Sequence, residues 1–396
     1  SVNAISSTAQ VYDPTVSGGG LTAPTPTLGS ELVTNGTMES GSPPSSWVAE
    51  AATLTSAADE RTGGSGATSI NVARNGSNFA TARQTIATTP AGWLIFAYWQ
   101  KRIDCTTVNV ALYDGSDNYI NGFGYNNSTS WVQRFLAFRT TVTSLKVRLQ
   151  ADCTSLANGT SARFDDVTLK GITLASMFST ATYGTHGTTK AAITVTAGTQ
   201  AGVVANLDSA SSPANFVIAT HDGTTARLEK CVAGTYTSLI STAATYSAGA
   251  TIEIRRLAGT NTYQLWYNGS QVGTNQTISD AGITSNTLAG YFNTYSGNTL
   301  ASFASVQPID ASTIASTASV YQPAITVGAA TISPNAIAST ATVRQPAITT
   351  GAVTVSPNVI ASTAQVYQPV VMIPTERTIY PSAIASTAQV FTVAIT

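Results

Sequence analysis

Along most of the chain, apolar residues recur at every second position, the period of a half-buried strand. Leu94, Phe96 and Tyr98 fall on one face, with Ile95, Ala97 and Trp99 on the other. Val108, Val110 and Leu112 form a second core row, opposed by Asn109, Ala111 and Tyr113. Leu145, Val147 and Leu149 form a third, opposed by Lys146, Arg148 and Gln150. Turn residues separate these runs at Asp114-Gly115, Asn121-Gly122 and Asn158-Gly159. Further on, Val203-Val204-Ala205, Phe216-Val217-Ile218, Ile252-Glu253-Ile254 and Tyr263 to Tyr267 continue the β-branched and aromatic pattern. Asn268-Gly269 between Tyr267 and Ser270 predicts a two-residue hairpin. Short strands at this spacing predict an all-β chain with two jelly-roll or β-sandwich domains.

A second pattern frames those domains. Ile314-Ala315-Ser316-Thr317-Ala318-Ser319-Val320-Tyr321 recurs at Ile337, Ile360 and Ile384, at spacings of 23, 23 and 24 residues. A fifth copy, Ile5 to Tyr12, opens the chain. Three copies continue into Gln-Pro, a second apolar run and a glycine turn, so each unit reads as strand, kink, strand, turn. Neither face of such a unit is apolar enough for a core of its own, so it must lean on neighbours. A Ser/Thr/Pro-rich glycosylated stalk is the other reading. Gly18-Gly19-Gly20 and Pro24-Thr25-Pro26 mark a linker. The expected order is therefore a repeat copy and linker over 1–29, one sandwich over 30–171, a second over 172–307 and four tandem β-repeats over 308–396.

Composition sharpens this picture. The 396 residues carry 18 basic and 19 acidic side chains, so only 9% are charged. Without a basic stripe, nucleic-acid binding is not expected. No apolar run of 18 residues exists, so no membrane insertion is expected. The chain begins at Ser1, consistent with a removed leader or a trimmed initiator Met. Of the three cysteines, Cys105 and Cys153 fall in one predicted domain and could pair; three small buried thiols are the alternative.

The outward residues Trp99, Asn109, Tyr113, Arg148 and Gln150 suit a pyranose ring. Its C–H face wants an aromatic platform and its hydroxyl rim wants planar hydrogen-bonding groups. If their strands share a sheet, these five make one carbohydrate-binding surface. His186 and His221 are the only histidines, and His221-Asp222-Gly223 reads as a turn. No G-x-S-x-G, C-x-x-C or H-E-x-x-H motif occurs, and Asp208, Asp222, Glu229, Glu253 and Asp280 form no i, i+2 pair. The chain is not expected to be an enzyme.

Leu32-Val33-Thr34-Asn35-Gly36-Thr37-Met38-Glu39 with Trp47, and the closing Phe164-Asp165-Asp166-Val167-Thr168-Leu169, resemble jelly-roll carbohydrate-binding modules. That resemblance implies a structural Ca²⁺ ion at Glu39, Asp165 and Asp166. Tyr267-Asn268-Gly269, Val272-Gly273 and Leu288 to Phe292 resemble concanavalin-A-like (laminin-G-like) domains. The phrase Ile-Ala-Ser-Thr-Ala-Gln-Val-Tyr-x-Pro resembles tandem repeats of bacteriophage virion proteins. Together the resemblances imply a tail-fibre, head-fibre or decoration protein at the virion surface. Its repeats would join copies of itself or other virion proteins, and its sandwiches would meet cell-surface glycans. A secreted bacterial filament subunit or adhesin at the cell surface is the alternative.

Overall fold

The computed structural model describes residues 21–306 apart from 59–60, 62–63, 77–78, 154 and 258, together with 319–320, 330–332, 342–343 and 353–355. The chain divides into two compact units, residues 12–308 and residues 1–11 with 309–396. The N-terminal repeat copy and most of the C-terminal array lie outside the described residues.

Residues 28–172 form one sandwich. Its strands are β1 (Leu28–Glu31), β2 (Val48–Glu50), β3 (Ala52–Ala58), β4 (Thr68–Arg74), β5 (Ala80–Ile86), β6 (Gly92–Arg102), β7 (Thr107–Asp114), β8 (Tyr119–Asn126), β9 (Val132–Thr140), β10 (Leu145–Asp152) and β11 (Ser161–Ile172). One sheet runs β3-β4-β11-β6-β9, with β1 also on β11; the other runs β2-β5-β10-β7-β8. The alternation explains the packing. Leu94, Phe96 and Tyr98 of β6 meet Val108, Val110 and Leu112 of β7 and Leu145, Val147 and Leu149 of β10 in one buried core. A bulge in β11 shifts the register between Asp165 and Thr168. There Gly36 accepts the Val167 N–H at 2.9 Å. A Cβ on Gly36 would stand 1.9 Å from the Val167 carbonyl oxygen, so only glycine allows this approach.

Residues 178–306 form the second sandwich: β12 (Phe178–Thr182), β13 (Gly187–Thr194), β14 (Ala201–Leu207), β15 (Phe216–His221), β16 (Thr225–Val232), β17 (Thr235–Ala243), β18 (Ala250–Arg256), β19 (Thr262–Tyr267), β20 (Ser270–Thr277), β21 (Leu288–Asn293) and β22 (Thr299–Val306). Its sheets are β12-β21-β14-β15-β16-β17 and β20-β19-β18-β13-β22. Asn268 (φ +48°) and Gly269 (φ +77°) make the β19–β20 turn, both left-handed, as a type I′ hairpin requires.

The sandwiches dock through their six-stranded sheets. Trp93 and Ile95 of β6 pack on Val204, Phe216, Ile218, Cys231 and Phe292 of the second sandwich, in a third apolar core. Ile95, whose alternation faces it away from the first core, is thus buried after all. Phe135 stacks on Tyr295 with ring centres 4.5 Å apart. The Ala137 N–H donates to the Gly198 carbonyl at 2.8 Å. The result is four stacked sheets with the two five-stranded sheets outermost.

All three cysteines are buried free thiols. Cys105 and Cys153 lie against each other; burial first, then its neighbour, pushes the Cys105 thiol up to about 12.

His221 is buried at the end of β15. Its Nδ1 accepts the Gly223 N–H at 2.9 Å, and Nε2 lies 3.2 Å from the Ala244 carbonyl oxygen. With Nδ1 accepting, the neutral ring carries its proton on Nε2. Burial lowers its pKa below the ordinary 6.5, and Arg227 adds to this; Asp222 and the Ala244 carbonyl act the other way. Burial also lowers His186. Below the unfolded value the unfolded chain binds more protons than the folded one, so stability falls as pH drops through about 6.5. Melting at a series of pH values is expected to show this fall. A His221→Gln chain should show a shallower one, with His186 supplying the remainder.

In the other unit, the described strands are β23 (Ser319–Val320), β24 (Ala330–Ile332), β25 (Thr342–Val343) and β26 (Val353–Val355). β23 pairs with β25 in parallel, Val320 opposite Val343. β24 pairs with β26 in parallel, Ala330 opposite Val353. Both registers equal the 23-residue period, so each of these two segments lies beside its own equivalent in the next repeat.

Candidate functional site

The outer face of β2-β5-β10-β7-β8 carries an open cluster of aromatic, amide and charged groups. Because Val147, Leu149 and Ala151 point inward, Lys146, Arg148 and Gln150 lie on the opposite face, where Lys146 and Arg148 are partly exposed and Gln150 is itself buried. Direct pairing sets their neighbours. Arg148 stands between Arg83 and Ala111, Gln150 between Thr81 and Asn109, and Lys146 between Thr85 and Tyr113. β8 adds Tyr119 beside Tyr113 and Gly122 beside Ala111.

Tyr119 is 62% exposed. Its ring meets Tyr113 edge-on, with centres 5.8 Å apart. The Arg148 guanidinium lies over Tyr113 at 4.4 Å. Asp117 accepts from Lys146 at 2.6 Å and from Arg148 at 2.7 Å. Glu50 accepts from Arg83 Nε at 2.5 Å and faces Arg148 at 3.8 Å. The Lys146 hydrogen bond is the largest cause holding the Asp117 carboxyl below its usual range. Asn109 donates to Gln150 at 3.1 Å, and Gln150 to Thr81 at 3.3 Å.

Ala111 and Gly122 leave the middle of this face low. A Cβ on Gly122 would lie 2.5 Å from the Val110 carbonyl oxygen and 3.3 Å from the Tyr119 hydroxyl. The face therefore offers the exposed Tyr119 ring beside Tyr113, with Asn109, Lys146 and Arg148 partly exposed around it. It can stack an apolar ring face and exchange hydrogen bonds with a rim of hydroxyls.

The structure divides the five residues singled out in the sequence. Asn109, Tyr113, Arg148 and Gln150 share this face, because β7 and β10 pair directly. Trp99 does not. It lies on β6, opposite Asp165 of β11 and Gln133 of β9, in the other sheet. The physical reason is that consecutive strands β6 and β7 cross between sheets; alternation assigns faces, not sheets. The Arg61 guanidinium covers Trp99 at 5.1 Å and Trp131 at 5.3 Å. Sequence reasoning missed Glu50, Arg83, Asp117 and Tyr119. The Asp114-Gly115 signal marks the turn but not its length: the loop runs on to Asn118, and that sets Tyr119 across from Tyr113.

Glu39, Asp165 and Asp166 do not fit a calcium ion. Glu39 Oε1 accepts the Thr68 N–H at 2.8 Å and its hydroxyl at 3.0 Å. Arg61 reaches Asp165 at 2.7 Å and Asp166 at 2.9 Å, placing a guanidinium between the carboxylates. Calcium takes six to eight oxygens, and the guanidinium already stands where a cation would sit between the two Asp carboxylates. Among the described residues, no three His, Cys, Asp or Glu side chains are arranged to hold a metal.

No family model matches the chain, and no curated protein matches it. Among solved structures, the enzymatically active domain of bacteriophage CBA120 tailspike protein 4 aligns at 16% identity and a TM-score of 0.29, over 36% of this chain. This chain spans only 21% of that domain's length. A family 16 carbohydrate-binding module aligns at 21% identity and 0.28, over 35% of this chain and 98% of the module. The tandem CBM22-1–CBM22-2 modules of Paenibacillus barcinonensis Xyn10C align at 9% and 0.28, over 72% of this chain and 99% of theirs. No residue role is carried across from these structures; the β-sandwich assignment rests on the strands and sheets described above.

Proposed function

We propose that this chain is a carbohydrate-binding structural protein, a fibre or decoration component of a bacteriophage virion. In this reading the outer face of β2-β5-β10-β7-β8 contacts glycan on the host cell surface. The observation that carries it is the exposed Tyr119 ring beside Tyr113, with Arg148 and Asn109 partly exposed on the same face. The role is adhesion rather than catalysis. Both carboxylates named on this face, Glu50 and Asp117, are engaged by basic side chains, whereas glycoside hydrolysis needs a free acid and base facing each other.

The repeats supply assembly. Parallel registers equal to the 23-residue period support stacking of successive repeats, and stacked repeats expose pairing edges at their ends. Those edges would be closed by other copies of the chain or by other virion proteins. Multiple copies on one particle turn weak single-site affinity into firm attachment. Neither nucleic acid nor membrane insertion enters this function. No helix among the described residues is long and apolar enough to cross a membrane.

Tyr119→Ala removes the exposed ring without touching the core. Retention of the purified chain on host surface polysaccharide is expected to weaken at least about tenfold, which corresponds to about 1.4 kcal/mol, with an unchanged melting temperature. Equal retention by Tyr119→Ala and the native chain would refute the site. Immunogold labelling of phage particles tests the virion assignment separately.

A further inference from the structure

The second sandwich turns its own five-stranded sheet outward. Tyr263, Leu265 and Tyr267 of β19 fill the core, so Gln264 and Trp266 face out. Trp266 stands between Glu253 of β18 and Gln271 of β20. The Trp266 indole N–H donates to Gln264 Oε1 at 2.9 Å. Asn275 Oδ1 accepts from Gln264 at 2.9 Å and from Gln271 at 3.0 Å. The Arg255 guanidinium stacks on the indole at 3.7 Å, and Glu253 accepts from it at 2.9 and 2.7 Å.

This is the inventory of the first face on a different sheet. An aromatic ring, partly exposed, carries a stacked guanidinium on one side, which a carboxylate fixes in turn, and side-chain amides flank it. The interactions fix the orientation of the ring and leave amide donors and acceptors at its edge. The part of the ring that the guanidinium leaves open, with those amides, suits a sugar ring's C–H face and hydroxyl rim.

We propose that the outer face of β18-β19-β20 is a second glycan-contact surface centred on Trp266. The four-sheet stack gives it a consequence. The two outer sheets face opposite ways, separated by three sheet spacings, on the order of 30 Å. One molecule cannot lay both faces on the same flat surface. It can bridge two polysaccharide strands, or hold one ligand on each side. The bridging role rests on the glycan-binding reading of the first face; the Trp266 surface stands without it.

Titration calorimetry of the full chain tests the two separately, with galactohexaose, mannohexaose, xylohexaose and cellohexaose as probes. Trp266→Ala is expected to remove a binding event that Tyr119→Ala retains, and the double variant to bind none of the four. Gln264→Ala, which keeps the ring, should weaken that same event about tenfold; it is the safeguard if Trp266→Ala melts abnormally. Isotherms unchanged by both Trp266→Ala and Gln264→Ala overturn the second surface, as does a native chain that binds none of the four. Isotherms unchanged by Tyr119→Ala overturn the first face alone.

Discussion

Arg139→Ala is expected to destabilise the paired sandwiches by about 3 kcal/mol, the lower end of the cost of stripping one partner from a buried ion pair. Glu229 in the second sandwich has a side chain only 5% exposed, and Arg139 from β9 reaches its Oε1 at 2.5 Å. Glu229 Oε2 already lacks a partner, so removing the guanidinium leaves a buried carboxylate with no compensation. The Arg139 side chain is 27% exposed, which places the cost at the lower end. The same guanidinium lies over Tyr236 at 3.8 Å and over Trp93 at 5.0 Å, contacts that are also lost. Urea unfolding measures this directly. Arg139→Met with Glu229→Met should recover most of the loss, because an apolar pair of similar volume removes the desolvation cost along with the attraction. A full-sized loss in the double variant would mean that the ion pair itself, rather than the stranded charge, sets the stability.

The strands were legible because their alternation is strict. Leu94, Phe96 and Tyr98 face the core because period-2 spacing leaves no other choice when one face must be buried. The Asn268-Gly269 turn was legible because only left-handed residues close a two-residue hairpin. What alternation does not encode is which strands share a sheet. Trp99 and Tyr113 have the same signature, an aromatic residue on the polar face of an alternating strand. They part because β6 pairs with β11 and β9, while β7 pairs with β10 and β8. That choice is made by long-range packing. Ile95 shows the same limit in the other direction. Its face reads as the one turned away from the core, yet Phe216 and Phe292, more than a hundred residues away, help to bury it.

Arg61 was illegible for a related reason. It sits in a stretch with no alternation, and its partners lie about a hundred residues on. The second large effect expected is therefore at this residue. Its guanidinium bridges Asp165 and Asp166 at the β11 bulge, with side chains 5%, 1% and 16% exposed. Arg61→Ala leaves two adjacent carboxylates without their shared cation, and the loss is expected to reach about 3–5 kcal/mol. For a domain pair of this size that lowers the melting temperature on the order of 10 °C. Arg61→Lys should restore only part of it, because a single ammonium cannot span both carboxylates as the planar fork does. Loss of the lid over Trp99 and Trp131 adds to the effect. Melting of the native chain in chelator and in millimolar calcium separates this lock from a metal site. The two curves should coincide, since the position between the carboxylates is already filled by a cation belonging to the chain. A native chain that melts lower in chelator would show that Arg61 is not the charge holding the bulge closed.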